Sequence, residues 1–250
     1  MKAIKRTVAG LLATLMFASC FSFNFAFGAD NYTDDEAIAV SKVNAADIMT
    51  GTDNGFEPSK TLTRAEAAAI VVRMKGVPAS QVEGAKGNTL FTDVPASSWA
   101  AGYINAASAM GIISGVGNGL FLPEREVSIV EFSAMAIRAL GAGKLVDSNG
   151  TWPTNYVNFA TEEKLFDGVL KAYTAPATRM DVAFMVVNTI EANMWEKTSV
   201  TNTNEITYEK QVNPATPSSE NNEENTFVCT CCCDADVAVL VCLLQRTDCK

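Results

Sequence analysis

The segment from Phe91 to Gly141 carries a pattern that recurs on both sides of it. It runs Phe91-Thr-Asp-Val, Trp99, Gly111-Ile-Ile-Ser-Gly115, Gly119-Leu-Phe121-Leu-Pro123 and Ser128-Ile-Val-Glu131, where an apolar stretch begins. Upstream stand Ile48-Met-Thr-Gly51, Gly55-Phe56-Glu-Pro58 and Thr63-Arg-Ala-Glu66. Downstream stand Trp152, Leu165-Phe-Asp-Gly168, Tyr173 and Thr178-Arg-Met-Asp181. Self-similarity of this kind means three copies of one helix–loop–helix unit. A unit so small cannot bury its own apolar face alone, whereas three packed around a common axis can.

Spacing makes the repeat testable. Trp99 lies 16 residues before Gly115, and Trp152 lies 16 before Gly168. Tyr103 and Tyr156 each follow their Trp by four positions, whereas unit one has Asp35 where the Trp would stand. Gly51, Gly115 and Gly168 are expected to stop the first helix of each unit, because glycine adopts the left-handed conformation a helix end needs. Glycine, an aromatic and proline then form the turn, at Gly55, Phe56 and Pro58 and again at Gly119, Phe121 and Pro123. The second helix opens on a capping box: Thr63, Ser128 and Thr178 are the caps, and Glu66, Glu131 and Asp181 stand three positions on. Asp is shorter than Glu, so the third box is expected to be the weaker. An apolar stripe at helical spacing follows each box: Ala67, Ile70, Val71 and Met74; Phe132, Met135, Ala136 and Ala139; Val182, Met185, Val186 and Thr189.

The ends of the chain have a different character. Lys2, Lys5 and Arg6 precede an apolar run, with small residues at Ala26 and Gly28. This reads as a secretory signal peptide over residues 1–28. A lipoprotein site at Cys20 is the alternative, and the run is too short for a stable membrane anchor. Without those residues the chain holds 16 basic and 28 acidic side chains, a balance that disfavours general binding to nucleic acid or an anionic membrane. The repeats then occupy 29–76, 90–141 and 144–194, separated by stretches rich in Gly, Ala, Ser, Asn and charge. Residues 195–226 turn to Thr, Asn, Glu, Pro and Ser and are expected to form a disordered tether. A Cys-rich tail over 227–250 follows, with Cys229, Cys231, Cys232, Cys233, Cys242 and Cys249. Its spacing matches no common zinc pattern, and it reads as an unrelated addition or a gene-end artefact, with soft-metal or disulfide chemistry as the alternative.

These motifs resemble the S-layer homology family, over about residues 31–194. Thr63-Arg-Ala-Glu66 is the most recognisable tetrapeptide, unit two matches best in layout, and unit three is the most diverged. The resemblance implies an all-α, pseudo-threefold bundle of three units with ligand grooves between neighbours. It also implies a role: non-covalent anchoring of an exported protein to secondary cell-wall polysaccharide bearing acidic, often pyruvylated, sugars. The location implied is the wall or surface layer of a bacterium with an exposed wall, with a monomeric three-repeat unit, no cofactor and no metal.

The resemblance places the ligand-binding arginine at Arg64 and Arg179. Each occupies the first helical position, where a cation opposes the helix dipole by about 0.3–1 kcal/mol if exposed and where capping does not call for one. A bound anion would reverse that sign, and the guanidinium fork matches a carboxylate in two parallel hydrogen bonds. Ile129 replaces the arginine in unit two, so that groove is expected to lack its main cation, leaving at most two competent sites or one groove of purely structural use. Trp99 and Trp152 either pack at the rim or stack on sugar rings. Gly115 and Gly168 serve as helix stops or allow close approach of a ligand. Replacing Arg64 and Arg179 by Ala is expected to weaken wall binding without unfolding the bundle. The chain contains no histidine, which removes Ser-His and Cys-His triads, so an enzyme is not expected. A protein–protein scaffold without a glycan ligand is the main alternative.

Overall fold

The computed structural model describes residues 32–87, 90–200 and 206–211. The expected signal peptide and Cys-rich tail lie outside the described residues. Eight helices are described: α1 (Asp34–Ala45), α2 (Arg64–Met74), α3 (Ala79–Ala85), α4 (Ala101–Ala109), α5 (Ile129–Ala139), α6 (Gly143–Ser148), α7 (Thr154–Glu162) and α8 (Arg179–Glu191). Unit one is built on α1 and α2, unit two on α4 and α5, and unit three on α7 and α8. Thr63, Ser128 and Thr178 cap α2, α5 and α8, each through a reciprocal pair with the acid three residues on. The shorter Asp181 closes its box too, accepting the Thr178 N–H at 2.8 Å and its hydroxyl at 2.6 Å. A fourth box, Thr33 with Glu36, starts α1. Its signal in the sequence is the same Thr-x-x-Glu spacing.

The first helices do not stop at Gly51, Gly115 and Gly168. They stop four residues earlier, at Asp47, Gly111 and Lys164, which hold φ values of 55°, 70° and 57°. Each stop is followed by an aliphatic residue whose N–H bonds back into the last turn: Ile48 to Val43, Ile112 to Ala107 and Leu165 to Ala160. Ile48, Ile112 and Leu165 are all buried, which is the hydrophobic contact that completes such a helix end. Only one of the three stops is a glycine, so the glycine signal pointed to the wrong position. The segments between units are also more than linkers. α3 and α6 lie there, tied to the following first helix by Asn105 Nδ2 to the Ala85 carbonyl and Asn155 Nδ2 to the Val146 carbonyl, both at 2.9 Å.

The units join in a ring. Each first helix packs on the second helix of the preceding unit: α4 on α2, α7 on α5, and α1 on α8. At the centre, three backbone hydrogen bonds close a cycle. The Leu62 N–H donates to Ala177 at 3.0 Å, Ala177 to Val127 at 2.9 Å, and Val127 to Leu62 at 3.0 Å. Their side chains are fully buried together with Phe56 and Phe121, the turn aromatics. The expected apolar stripes are buried, and in α2 so are Ala65, Ala68, Ala69 and Val72. A helix in the middle of a bundle is covered on nearly every side, and alanine lets neighbours approach closely.

The expected tether is corrected in part. Met194–Val200 (β1) and Ile206–Gln211 (β2) pair as an antiparallel hairpin. Trp195 explains why. Its ring packs against the cluster formed by Val130, Ile137, Leu140, Tyr156 and Leu165, and its backbone N–H donates to the Leu140 carbonyl at 2.9 Å. Lys210, on the partner strand, bonds Glu163 at 2.8 Å. A polar composition signalled disorder, but one aromatic anchor outweighed it.

Candidate functional site

Arg64 and Arg179 open α2 and α8. Side chains at a helix start lean back past the N-terminus, which carries each guanidinium across a seam into the loop of another unit. Arg64 Nε donates to the Phe121 carbonyl at 2.9 Å and Nη2 to the Ser114 carbonyl at 3.0 Å. Its guanidinium lies 4.5 Å from the Phe121 ring centroid. Arg179 repeats the arrangement with Phe56 at 2.6 Å, Thr50 at 2.7 Å and the Phe56 ring at 4.7 Å. The two residues are only 5% and 8% exposed, and burial pulls both guanidinium pKa values below the ordinary arginine value. The cation at the first helical position therefore has partners within the protein. The Nε/Nη2 edge that would match a carboxylate is occupied by carbonyl oxygens. The expectation that both arginines could be truncated without harm to the bundle is revised accordingly.

Unit two has Ile129 in this position, 1% exposed. Its backbone keeps the seam, with Ile129 N–H to Ala175 at 3.0 Å and Val130 N–H to Tyr173 at 2.8 Å. A cavity of about 560 Å³ opens here between units two and three, lined by Arg125, Ser128, Glu131, Trp152, Pro153 and Pro176 among others. That volume lies in the range of small-molecule sites, about 300–1,000 Å³. Neither Arg64 nor Arg179 lines it. Ile129 puts no charge in this groove, but Arg125 stands at its lip with a side chain 41% exposed, paired to Glu131.

Glu131 joins several roles. One oxygen accepts the Ser128 N–H at 3.0 Å; the other binds Arg125 and lies 3.8 Å from Arg64 Nη1. Burial opposes its ionisation, yet the Arg125 hydrogen bond, the Ser128 N–H and the two arginine charges outweigh that and hold its carboxyl below the usual range. The cap acid of each second helix has a cation from its own loop: besides Arg125 for Glu131, Lys60 lies 3.9 Å from Glu66, and Lys171 lies 2.7 Å from Asp181. Sequence reasoning missed these three cations, although each stands within seven residues before its cap. It also missed Asp93, within the Phe91-Thr-Asp-Val motif. Asp93 accepts the N–H groups of Phe121 at 2.9 Å and Leu122 at 2.7 Å. Desolvation opposes its ionisation, but these N–H groups prevail and hold its pKa below the ordinary value.

Trp99 and Trp152 are 54% and 52% exposed. Each rests against the tyrosine one turn on, at 6.3 Å for Trp99 with Tyr103 and 5.4 Å, edge-on, for Trp152 with Tyr156. Those tyrosines are held in turn by arginines of the preceding unit, Arg73 at 5.3 Å and Arg138 at 5.1 Å. Burial and a 2.8 Å bond to Asp147 push the Tyr156 hydroxyl pKa up to about 12. Each indole thus packs on a tyrosine and keeps about half of its surface exposed. Gly115 and Gly168 lie in the loops. A Cβ on Gly115 would meet the Leu120 carbonyl and the Phe91 ring at 2.7 Å, and one on Gly168, at φ 81°, would meet the Phe184 ring at 2.7 Å. What approaches these glycines closely is the protein itself. Among the described residues, no group of three or more acidic or cysteine side chains could hold a metal ion, and no helix is long and apolar enough to cross a membrane.

Residues 30–68 and 90–128 match the family described as SLH, the S-layer homology domain. The middle cell wall protein of Brevibacillus brevis is 33% identical over 159 residues, covering 63% of this chain and 15% of that protein. The cell surface protein of Thermoanaerobacter kivui is 31% identical over 200 residues, 78% of this chain and 26% of that protein. The cellulosome-anchoring protein of Acetivibrio thermocellus is 28% identical over 129 residues, 47% of this chain and 28% of that protein. The chain thus spans between 15% and 28% of the length of these relatives. The family match falls on units one and two, and unit three repeats their geometry.

Proposed function

We propose that this chain is a non-covalent anchor of the bacterial cell surface, holding an anionic, pyruvylated secondary wall polysaccharide in grooves between its units. It works by binding and not by catalysis. The observation that carries this reading is the half-exposed indole of Trp152 on the wall of the 560 Å³ inter-unit cavity, beside the Arg125–Glu131 pair. A half-exposed aromatic ring held by a neighbouring tyrosine and flanked by fixed polar groups suits a sugar ring, whose C–H face is apolar and whose edge is polar. Trp99 supplies the same face at the seam of units one and two. Arg64 and Arg179 place a desolvated positive charge behind their seams, where it attracts an anion more strongly than in water, and they hold the loop walls in place. Gly115 and Gly168 keep their own loops tightly packed. The matched family and the names of the relatives, a cell surface protein and a cellulosome-anchoring protein among them, support the anchoring role and the surface location.

The test is sedimentation with purified wall sacculi before and after chemical removal of the secondary polysaccharide. Binding is expected to intact sacculi and to be lost on stripping. Undiminished binding to stripped sacculi would favour a protein–protein scaffold instead. Selective removal of pyruvyl groups is expected to weaken binding and tests the acidic-sugar component separately.

A further inference from the structure

The seam between units two and three differs in chemistry from its counterpart between units one and two. Arg64 stands behind the Trp99 seam, whereas Ile129 fills the corresponding place behind the Trp152 seam. The charges around the cavity wall are balanced. Arg125 is paired with Glu131, Glu131 is fixed by the Ser128 N–H at 3.0 Å and approached by Arg64 Nη1 at 3.8 Å, and Glu126 adds a second acid to the lining. Glu131 stays ionised, since its carboxyl is held below the usual range. An incoming carboxylate would therefore meet a like charge in the cavity wall, and could win Arg125 only by breaking a pair that also stabilises α5.

We propose that the cavity between units two and three takes an uncharged pyranose ring of the same wall polymer, stacked on Trp152, while the acidic sugar is left to the Arg64–Trp99 seam. The inference rests on the anchoring reading above and divides the polymer between two grooves. Trp152, Pro153 and Pro176 offer an apolar face to the C–H side of the ring. The Arg125–Glu131 pair offers donors and an acceptor side by side, the pattern that adjacent sugar hydroxyls satisfy without a net charge. The volume of about 560 Å³ has room for a ring and part of its neighbour. The third seam, between units three and one, has Asp35 in the tryptophan position.

The experiment measures affinity of the full chain for soluble wall polysaccharide, either intact or freed of its pyruvyl groups. Wild type is expected to keep weakened binding to the depyruvylated polymer. Trp152→Ala is expected to lower that residual binding by roughly fivefold to tenfold, and Trp152→Tyr to restore part of it. Trp99→Ala is expected to act mainly on the intact polymer, so that the preference for pyruvylated over depyruvylated polymer shrinks. Residual binding unchanged in Trp152→Ala would overturn the proposal and leave the anchoring reading standing. So would a Trp152→Ala loss confined to the pyruvylated polymer. Wild type that binds neither form would sink both readings. If Trp152→Ala shifts the urea midpoint, the Trp152→Tyr variant and its affinity ratio decide the matter instead.

Discussion

Arg179→Ala tests the buried-arginine reading most directly, because Arg179 sits at the seam that closes the ring. Units three and one are far apart in the chain, with 129 positions between Arg179 and Thr50. The guanidinium makes two charge-assisted hydrogen bonds, at 2.6 and 2.7 Å, each contributing about 1.5–3 kcal/mol. Its stacking on Phe56 at 4.7 Å adds about 1–2 kcal/mol in a desolvated setting. Against this stand the cost of desolvating the cation, visible in its lowered pKa, and up to about 2 kcal/mol for ordering the side chain. Alanine also removes an unfavourable cation from the helix start, a gain of up to about 1 kcal/mol. The balance is a loss of about 2–4 kcal/mol, near the cost of leaving a buried charged partnership broken. In urea titration, a slope of about 1–3 kcal/mol/M turns this into a midpoint lower by about 1–2 M. Lys60→Ala, which removes an exposed pair at 3.9 Å, serves as the control and should cost less than about 1 kcal/mol. An Arg179→Ala midpoint no lower than that of the Lys60 control would refute the argument and return Arg179 to a purely ligand-facing role.

Gly115→Ala and Gly111→Ala separate two uses of glycine. The first drives a Cβ into the Leu120 carbonyl and the Phe91 ring and should destabilise by about 1–3 kcal/mol. The second meets open space at φ 70° and should cost only about 1 kcal/mol of backbone preference, so calorimetry should rank Gly115→Ala as the worse. Asp93 and Glu131 have carboxyls held below their ordinary values. Their contribution is present above the unfolded-state pKa values of 3.8 and 4.5 and is lost as pH falls through the lower folded values. Asp93→Asn should flatten the fall in stability on acidification below about pH 4, read as urea midpoints across pH; an unchanged acid limb would refute that role. Trp195→Ala should free the hairpin with a loss of about 2 kcal/mol, below the ~3–5 kcal/mol of a fully buried aromatic. Faster proteolytic cleavage at β1 and β2, with units one to three intact, would report it.

The sequence by itself determined what acts over a few residues. The three units, their capping boxes and the burial of their apolar stripes follow from side chains meeting backbone one turn away, so the signal stands in the local spacing. Helix stops were half legible. The position that must turn left-handed can be Asp47 or Lys164 when a buried Ile48 or Leu165 anchors the next residue, and a glycine four residues on misled. Tertiary structure alone decided which unit's first helix packs on which second helix, where Arg64 and Arg179 spend their hydrogen bonds, and that Trp195 draws a polar segment into a hairpin. Those outcomes join residues that are distant in the chain, and they turn on which carbonyls, rings and apolar surfaces happen to face one another once the ring has closed.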